Sequence, residues 1–306
     1  MTTTESADTR ADTPACYRHP KRETYVRCTR CDRYACPDCL RAAAVGQHCV
    51  ECVREGSKSV RQPRTVAGSR VGATAVATYC LIGINILAYI GELARPSTVN
   101  RFATLGEGLM RDGNLYVYGG HPIPGFQVVG IAHGEWYRLI TGFFLHLQPS
   151  QGIGIGHIIF NMAALWVLGR AVEPLLGSLR FVIVYLLSGV GGSVLVYLLA
   201  PQTVTVGASG AIFGITAAYF VLSRRTSINV SYADRLIFSS LIWLVLSAWF
   251  ASWQGHLGGL VAGGVITLAY VYAPARQRTV LQVAATAAMV ALFVVAVILR
   301  TRQLGG

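Results

Sequence analysis

Acidic residues are scarce in this chain of 306 residues: 14 Asp and Glu stand against 26 Lys and Arg, and charged residues of both signs make up only 13%. A soluble globular domain carries roughly 25%, so an ordinary water-soluble fold is excluded. The first fifteen residues, MTTTESADTRADTPA, contain no apolar run, so no secretory signal peptide is expected and the N-terminus is expected to remain in the cytoplasm. What is abundant is apolar: 53% of residues are hydrophobic and the mean hydropathy is +0.48. Together these predict an integral membrane protein, in the plasma (inner) membrane. The formal charge of +12 raises the question of nucleic acid. The basic residues, however, are split between a Cys-rich N-terminal region and the short gaps between apolar runs, which membrane orientation explains, so no nucleic-acid partner is expected.

The chain divides by composition. Residues 1–14 read as disordered, 15–54 as a metal-binding domain, 55–70 as a flexible basic linker with Pro63, 71–275 as a membrane-embedded core, and 276–306 as a last helix and tail. Seven apolar stretches, near 71–91, 157–176, 181–200, 208–223, 236–253, 256–273 and 279–299, are each close to the length a bilayer demands of a helix. A long loop, 94–155, separates the first two. With the N-terminus inside, the short inner loops hold Arg180, then Arg224, Arg225 and Arg235, then Arg276 and Arg278, while the outer gaps PQTVTVG and WQG hold none. This is the asymmetry of a membrane protein with its basic loops in the cytoplasm; Arg300 and Arg302 in the outer tail run against it.

In that topology the second, fourth and sixth helices all enter from the outer face, and their first turns carry His157 with Asn161, then Ser209, then His256. Polar groups at one depth in a membrane mark function more often than chance. Ser209 sits between small residues in VGASGAIFG, a pattern that also serves helix packing. The two readings are complementary. Gly255, Gly259 and Gly263 recur every four residues, as do Gly210 and Gly214. Such stripes let helices approach closely enough for a short serine side chain to reach an imidazole. A serine needs a base to become a nucleophile, and imidazole suits that work near neutral pH. No Asp or Glu lies near either residue in sequence, so no third member of a triad is evident and the imidazole is expected to be oriented by packing.

These residues resemble the rhomboid family of intramembrane serine proteases. The matching pieces are GASG with Gly207 and Ser209, GHLGGLVAG with His256, HIIFN with His157 and Asn161, EWYR with Trp136 and Arg138, and GRAVEPLLGSLRF after the second helix. The resemblance implies an all-α polytopic fold, a six-helix core to which this chain adds a seventh helix. It also implies a Ser209/His256 dyad without a catalytic cofactor, and an oxyanion site built by His157, Asn161 and the Ser209 backbone N–H, with Gly207 in support. Phe213 stands where the family places an aromatic ring, often Tyr, against the histidine. The substrate would be a transmembrane segment of another membrane protein, cut at a site open to the outer face. The alternative is a non-catalytic rhomboid-like protein that binds and regulates membrane clients, though such relatives typically lack the serine or the histidine. Departures are visible: His146 precedes His157 by eleven residues, where members often have a histidine about five before. Trp136 and Arg138 are expected to anchor the long loop at the lipid interface, and Glu173 and Arg180 to brace the inner ends of the second and third helices.

Seven of the eight cysteines lie between residues 16 and 52, in Cys16-x2-His19, Cys28-x2-Cys31, Cys36-x2-Cys39 and Cys49-x2-Cys52. Eight ligands in four pairs suit two tetrahedral Zn2+ ions, with no open position for catalysis. So short a region buries little core, and metal would supply its folding energy. The pattern resembles a B-box or a related cross-braced zinc module, which implies Cys16, His19, Cys36 and Cys39 on one ion and Cys28, Cys31, Cys49 and Cys52 on the other. Sequential pairing, and His48 in place of Cys49, remain open at this point. A cytoplasmic protein partner would be a natural client of such a module.

Overall fold

The structure, a computed structural model, describes residues 13–59, 64–69, 74–247 and 252–304. The chain forms two compact units, residues 1–62 and 63–306.

In the first unit, β1 (Ala15–Cys16) pairs antiparallel with β2 (His19–Glu23). A second hairpin of β3 (Leu40–Ala42) and β4 (Gln47–Cys49) leads into helix α1 (Val50–Ser59). Strands this short bury almost nothing of their own. Among the described residues of this unit the buried apolar ones are Cys16, Cys28, Cys36, Cys39, Cys49 and Cys52 with Ala35 and Leu40, and the one buried polar residue is Thr24. Of the tail expected to be disordered, residues 1–12 lie outside the described residues, while Pro14 already accepts the Thr24 N–H at 2.9 Å.

The second unit is helical. It runs α2 (Val76–Ala94), α3 (Ser97–Phe102), α4 (Arg138–Thr141), α5 (Gly156–Leu176), α6 (Ser178–Leu199), α7 (Ser209–Thr226), α8 (Val230–Ser247), α9 (Trp253–Tyr272) and α10 (Arg278–Leu304). Six of these, α2, α5, α6, α8, α9 and α10, are long and apolar enough to cross a membrane. Helix α7 has 18 residues, about 27 Å at 1.5 Å per residue, and carries Arg224 and Arg225 in its last turn. It is nonetheless buried over most of its length. Large apolar side chains such as Leu87, Phe160, Phe238 and Leu292 point outward instead, the inverse of a water-soluble surface. The unit is a polytopic membrane fold.

At its centre α6, α7 and α9 approach backbone to backbone. A Cβ added to Gly259 would lie 1.9 Å from the Gly210 carbonyl oxygen, and one on Gly263 2.4 Å from Gly214 Cα. The stripes on α7 and α9 therefore face each other, and α6 joins through Gly191, whose carbonyl oxygen lies 2.3 Å from the Cβ position of Gly258.

The expected helices match the observed ones in order, with several displaced boundaries: α2 begins at Val76 rather than 71, α9 at Trp253 rather than 256, and α10 runs to Leu304 rather than 299. Helix α8 begins at Val230 rather than 236: the Asn229 backbone carbonyl accepts the N–H groups of Tyr232 and Ala233 (3.1 and 3.0 Å), and the polar first turns include Asp234, paired with Arg224. Of the expected stretch 236–253, residues 248–251 lie outside the described residues. The basic linker is more ordered than expected: its start, 55–59, belongs to α1. Near its end Ser69 donates to Leu176 O at 2.7 Å, and only 60–63 and 70 lie outside the described residues.

Glu173 and Arg180 make their contacts at the inner helix ends through separate partners. The buried Glu173 carboxylate accepts Ala77 N–H (2.9 Å), Thr78 N–H (2.8 Å), Thr78 Oγ1 (2.7 Å) and Ser178 Oγ (2.6 Å). A carboxylate there satisfies orphan donors at the N-terminus of α2 and complements its dipole. Arg180 instead donates to Gln282 Oε1 at 2.8 Å and to Ser69.

The long loop holds a three-stranded sheet in the order β6 (Asn114–Tyr116), β5 (Gly108–Arg111), β7 (Gln127–Val129). Arg138 is not at a lipid interface. It is fully buried, paired with Glu135 at 2.6 Å, and donates to Asn100 O and Ala103 O at 3.0 and 2.9 Å. Trp136 is the exposed member of that motif.

Candidate active site and candidate metal centres

The first turns of α5, α7 and α9 converge on a cavity of about 490 Å³ lined by His157, Gly207, Ser209, Gly255 and His256, among others. Ser209 is the first residue of α7, and no side chain caps that helix, so the amide groups of its first turn are free to face an anion. Ser209 Oγ lies 2.9 Å from His256 Nε2. Phe213, one turn further along α7, stacks on the imidazole with ring centroids 4.5 Å apart and planes 6° from parallel. The close approach of α7 and α9 makes this possible, since a serine reaches only one carbon from its backbone.

Gly207 turns the chain into α7 with φ at +122°, a conformation that L side chains rarely adopt. A Cβ there would fall 2.6 Å from His157 Cε1 and 2.9 Å from its Nε2, so the imidazole edge occupies the space a side chain would fill. His157 Nδ1 accepts the Leu147 backbone N–H at 3.1 Å. A neutral imidazole accepting at Nδ1 carries its proton on Nε2, the nitrogen beside Gly207. Asn161 is directed differently: its amide donates to His157 O at 2.7 Å, and it does not line the cavity.

The extra residues before His157 are taken up in turns, with Gln148 O accepting the Gln151 N–H and Gln151 O the Gly154 N–H (2.9 and 2.7 Å). His146 is thereby returned to the side of His157, ring centroids 5.2 Å apart. It is fully buried, and its backbone N–H is shared between both oxygens of Glu92 at 3.1 Å.

The expectation that packing alone orients His256 needs correction. Ser247 Oγ, at the end of α8 and fully buried, lies 3.2 Å from His256 Nδ1. No motif announces it: a serine in an apolar helix, nine positions before the histidine in chain order, carries no signal a single sequence reveals.

In the first unit the ligand atoms of Cys16, His19, Cys36 and Cys39 lie within 4.8 Å of one another, as do those of Cys28, Cys31, Cys49 and Cys52. Each group could hold a metal ion. The first pair thus meets the third and the second meets the fourth; His48 is in neither group. Burial opposes ionisation of the Cys16 thiol, but the N–H groups of Cys36 and Arg18 and the His19 ring outweigh it and bring its pKa down to about 6. Cys28 is likewise brought to about 6, against burial, chiefly by the Cys49 and Arg30 N–H groups.

Comparison with known proteins places these features. A Rhomboid domain model matches residues 133–274. Rhomboid protease GluP of Bacillus subtilis is 41% identical over 139 residues, 44% of this chain and 26% of that protein. The putative rhomboid protease YdcA of the same organism is 36% identical over 154 residues, 49% of this chain and 74% of the relative. Rhomboid protease AarA of Providencia stuartii is 26% identical over 240 residues, 68% of this chain and 76% of its own length. The chain thus spans about a quarter of GluP and about three-quarters of YdcA. Residues 133–274 run from before Arg138 to the end of α9 and contain His157, Gly207, Ser209, Ser247 and His256, and with YdcA matched at 36% identity over 74% of its length the chain belongs to the rhomboid family.

Proposed function

We propose that the protein is a serine-type intramembrane endopeptidase that cuts a peptide bond in or near a transmembrane segment of another membrane protein. The observation that carries this is the 2.9 Å contact between Ser209 Oγ and His256 Nε2 at the wall of a cavity large enough for water and an extended peptide. Ser209 is the nucleophile and His256 the general base. As the Ser209 oxygen bonds to the scissile carbonyl carbon, its proton passes to Nε2, and the imidazolium then gives that proton to the leaving amine. The resulting ester is hydrolysed by water activated the same way. Negative charge on the former carbonyl oxygen needs waiting donors. The Nε2–H of His157, fixed by the Leu147 N–H at its other nitrogen, and the free N–H groups at the start of α7 fill that role. Asn161 lies outside the cavity lining and supports this site through the first turn of α5, where its amide donates to His157 O. A substrate helix must unwind locally to present a bond, since a regular helix keeps its carbonyls paired. The cytoplasmic N-terminus and outward-opening cavity rest on the arginine-rich inner loops.

The first unit is proposed to bind two structural Zn2+ ions. Tetrahedral zinc with Zn–S of ~2.3 Å and Zn–N of ~2.0–2.1 Å sets sulfurs about 3.8 Å apart and sulfur–nitrogen pairs about 3.6 Å apart. Cys31 Sγ and Cys49 Sγ are 3.8 Å apart, and His19 Nδ1 lies 3.4, 3.4 and 3.8 Å from the sulfurs of Cys36, Cys39 and Cys16. The eight residues would hold and cross-link; they leave no open coordination site for chemistry. Recruitment of a cytoplasmic protein is the natural use of such a module.

A fluorophosphonate probe tests the enzymatic reading. The full chain in detergent should be labelled and its Ser209→Ala variant should not; equal labelling of the two defeats the assignment.

A further inference from the structure

We infer that Ser247 is the positioning residue that holds His256 in its reactive tautomer, so that the catalytic contact is a relay of three side chains from α7, α9 and α8. The inference rests on the serine-hydrolase reading above. Ser247 Oγ lies 3.2 Å from His256 Nδ1 and 2.8 Å from the carbonyl oxygen of Leu244, one turn back in α8. Both partners and the serine itself are accounted for by a single proton arrangement. The Leu244 carbonyl can only accept, so the Ser247 hydroxyl proton goes there. The hydroxyl oxygen is then left with lone pairs alone, and the group facing it, Nδ1, must be the donor. With its proton on Nδ1, a neutral imidazole offers a lone pair at Nε2, the atom 2.9 Å from Ser209 Oγ. That is the form able to take the Ser209 proton.

In the reverse arrangement Ser247 donates to Nδ1 and abandons the Leu244 carbonyl. His256 then carries its proton on Nε2, pointing at Ser209 and unable to act as base. The carbonyl at the end of α8 therefore selects the tautomer through one hydroxyl. Phe213, stacked flat on the ring, restrains the plane of the imidazole but has no means of distinguishing its two nitrogens. Ser247 and Phe213 thus divide the work: one fixes the face, the other the proton. During the reaction no bond to Ser247 forms or breaks. Nδ1–H stays bonded to it while Nε2 gains and loses the transferred proton, and the Ser247 oxygen faces the charge that the imidazolium carries.

The test compares Ser247→Ala, Ser247→Val and Ser247→Thr in the full chain. Thr keeps the hydroxyl, while Val has the same shape without it. Fluorophosphonate labelling of Ser209 should slow by roughly tenfold in Ala and Val, about the worth of one hydrogen bond, and stay within about threefold of wild type in Thr. The ¹⁵N spectrum of histidine-labelled protein, with the His256 signals assigned by their loss in His256→Gln, should show a protonated Nδ1 in wild type and Thr, and a mixture of tautomers in Val. Labelling of the Val variant at the wild-type rate, or an unprotonated Nδ1 in wild type, would overturn the inference. If wild type and Ser209→Ala label equally, the enzymatic reading fails, and the nitrogen signals still decide the contact: a His256 spectrum unchanged in Ser247→Val sinks it.

Discussion

At the scale of single residues, the site depends on two features that involve no side-chain hydrogen bond. Gly207 is required twice over, by its φ of +122° and by the His157 edge that a Cβ would meet at 2.6 Å. Gly207→Ala must therefore shift the imidazole or the turn. Loss of an oxyanion donor costs on the order of a hundredfold in rate, and fluorophosphonate labelling of the alanine variant should fall by that order; labelling at the wild-type rate would show that His157 is not held where the geometry has it. Phe213 is the second. A stacked aromatic pair is worth about 0.5–1.5 kcal/mol, so Phe213→Leu should slow labelling roughly three- to tenfold, whereas Phe213→Tyr, which keeps the ring, should not. Ser209, His256, His157 and the eight metal-ligand candidates stand out in the sequence because spacing sets them off: a serine amid glycines, polar groups at the starts of three apolar runs, four CxxC-like pairs. Ser247 and the Leu147 amide that fixes the His157 tautomer do not stand out, because their roles lie in a direction and a distance rather than in a residue type or a repeat.

At the scale of elements, the pairing of α7 with α9 sets the reach of the dyad. The glycine stripes are readable as a four-residue period, and the contact they make is measurable: a Cβ at Gly259 would lie 1.9 Å from the Gly210 carbonyl oxygen, whereas one at Gly264 would sit 3.5 Å from Ala217 Cβ, an ordinary contact. Gly259→Ala should therefore push the helices apart, lower the melting temperature in detergent and abolish labelling, while Gly264→Ala should leave both unchanged. If the two variants behave alike, close approach is not what brings the serine to the histidine. The capping of α2 by Glu173 belongs to this scale as well. A buried carboxylate with four donors leaves donors unmatched when one oxygen becomes an NH2 group. Glu173→Gln should destabilise the fold by about 1–3 kcal/mol, read as a loss of thermal stability without a change in the labelling rate per folded molecule. The sequence suggests that Glu173 braces the inner end of its helix, because its charge is visible there, but it does not reveal that the donors are the orphan amide groups of a helix ninety-odd positions away. The start of α8 is hidden for a related reason: hydropathy reports where a helix becomes apolar, whereas its backbone bonds begin at the Asn229 carbonyl, a polar turn and a half earlier.

At the scale of the whole molecule the chain joins two units that solve the same problem with different means. The membrane unit brings its backbones together through glycine and is solvated by lipid, whereas the first unit, with Ala35 and Leu40 as the only ordinary buried apolar side chains among its described residues, depends on whatever its cysteines hold. If those ligands bind zinc in crossed pairs, metal content reports the topology directly. The full chain should carry two Zn2+ per molecule. A double Cys16→Ser, Cys36→Ser variant removes two ligands of one cluster and leaves the other complete, so it should retain about one ion, whereas Cys16→Ser with Cys28→Ser damages both clusters and should retain none. Sequential pairing inverts the two results, because Cys16 and Cys28 would then share an ion and Cys16 and Cys36 would not. Chelation of both ions should unfold the first unit, seen as new protease sensitivity confined to residues before 60, and leave labelling of Ser209 unaltered, since the dyad, His157 with its Leu147 partner and the Ser247 contact all lie at or beyond position 147. A fall in labelling that follows zinc loss and recovers on its return would instead make the metal unit a regulator of the membrane site.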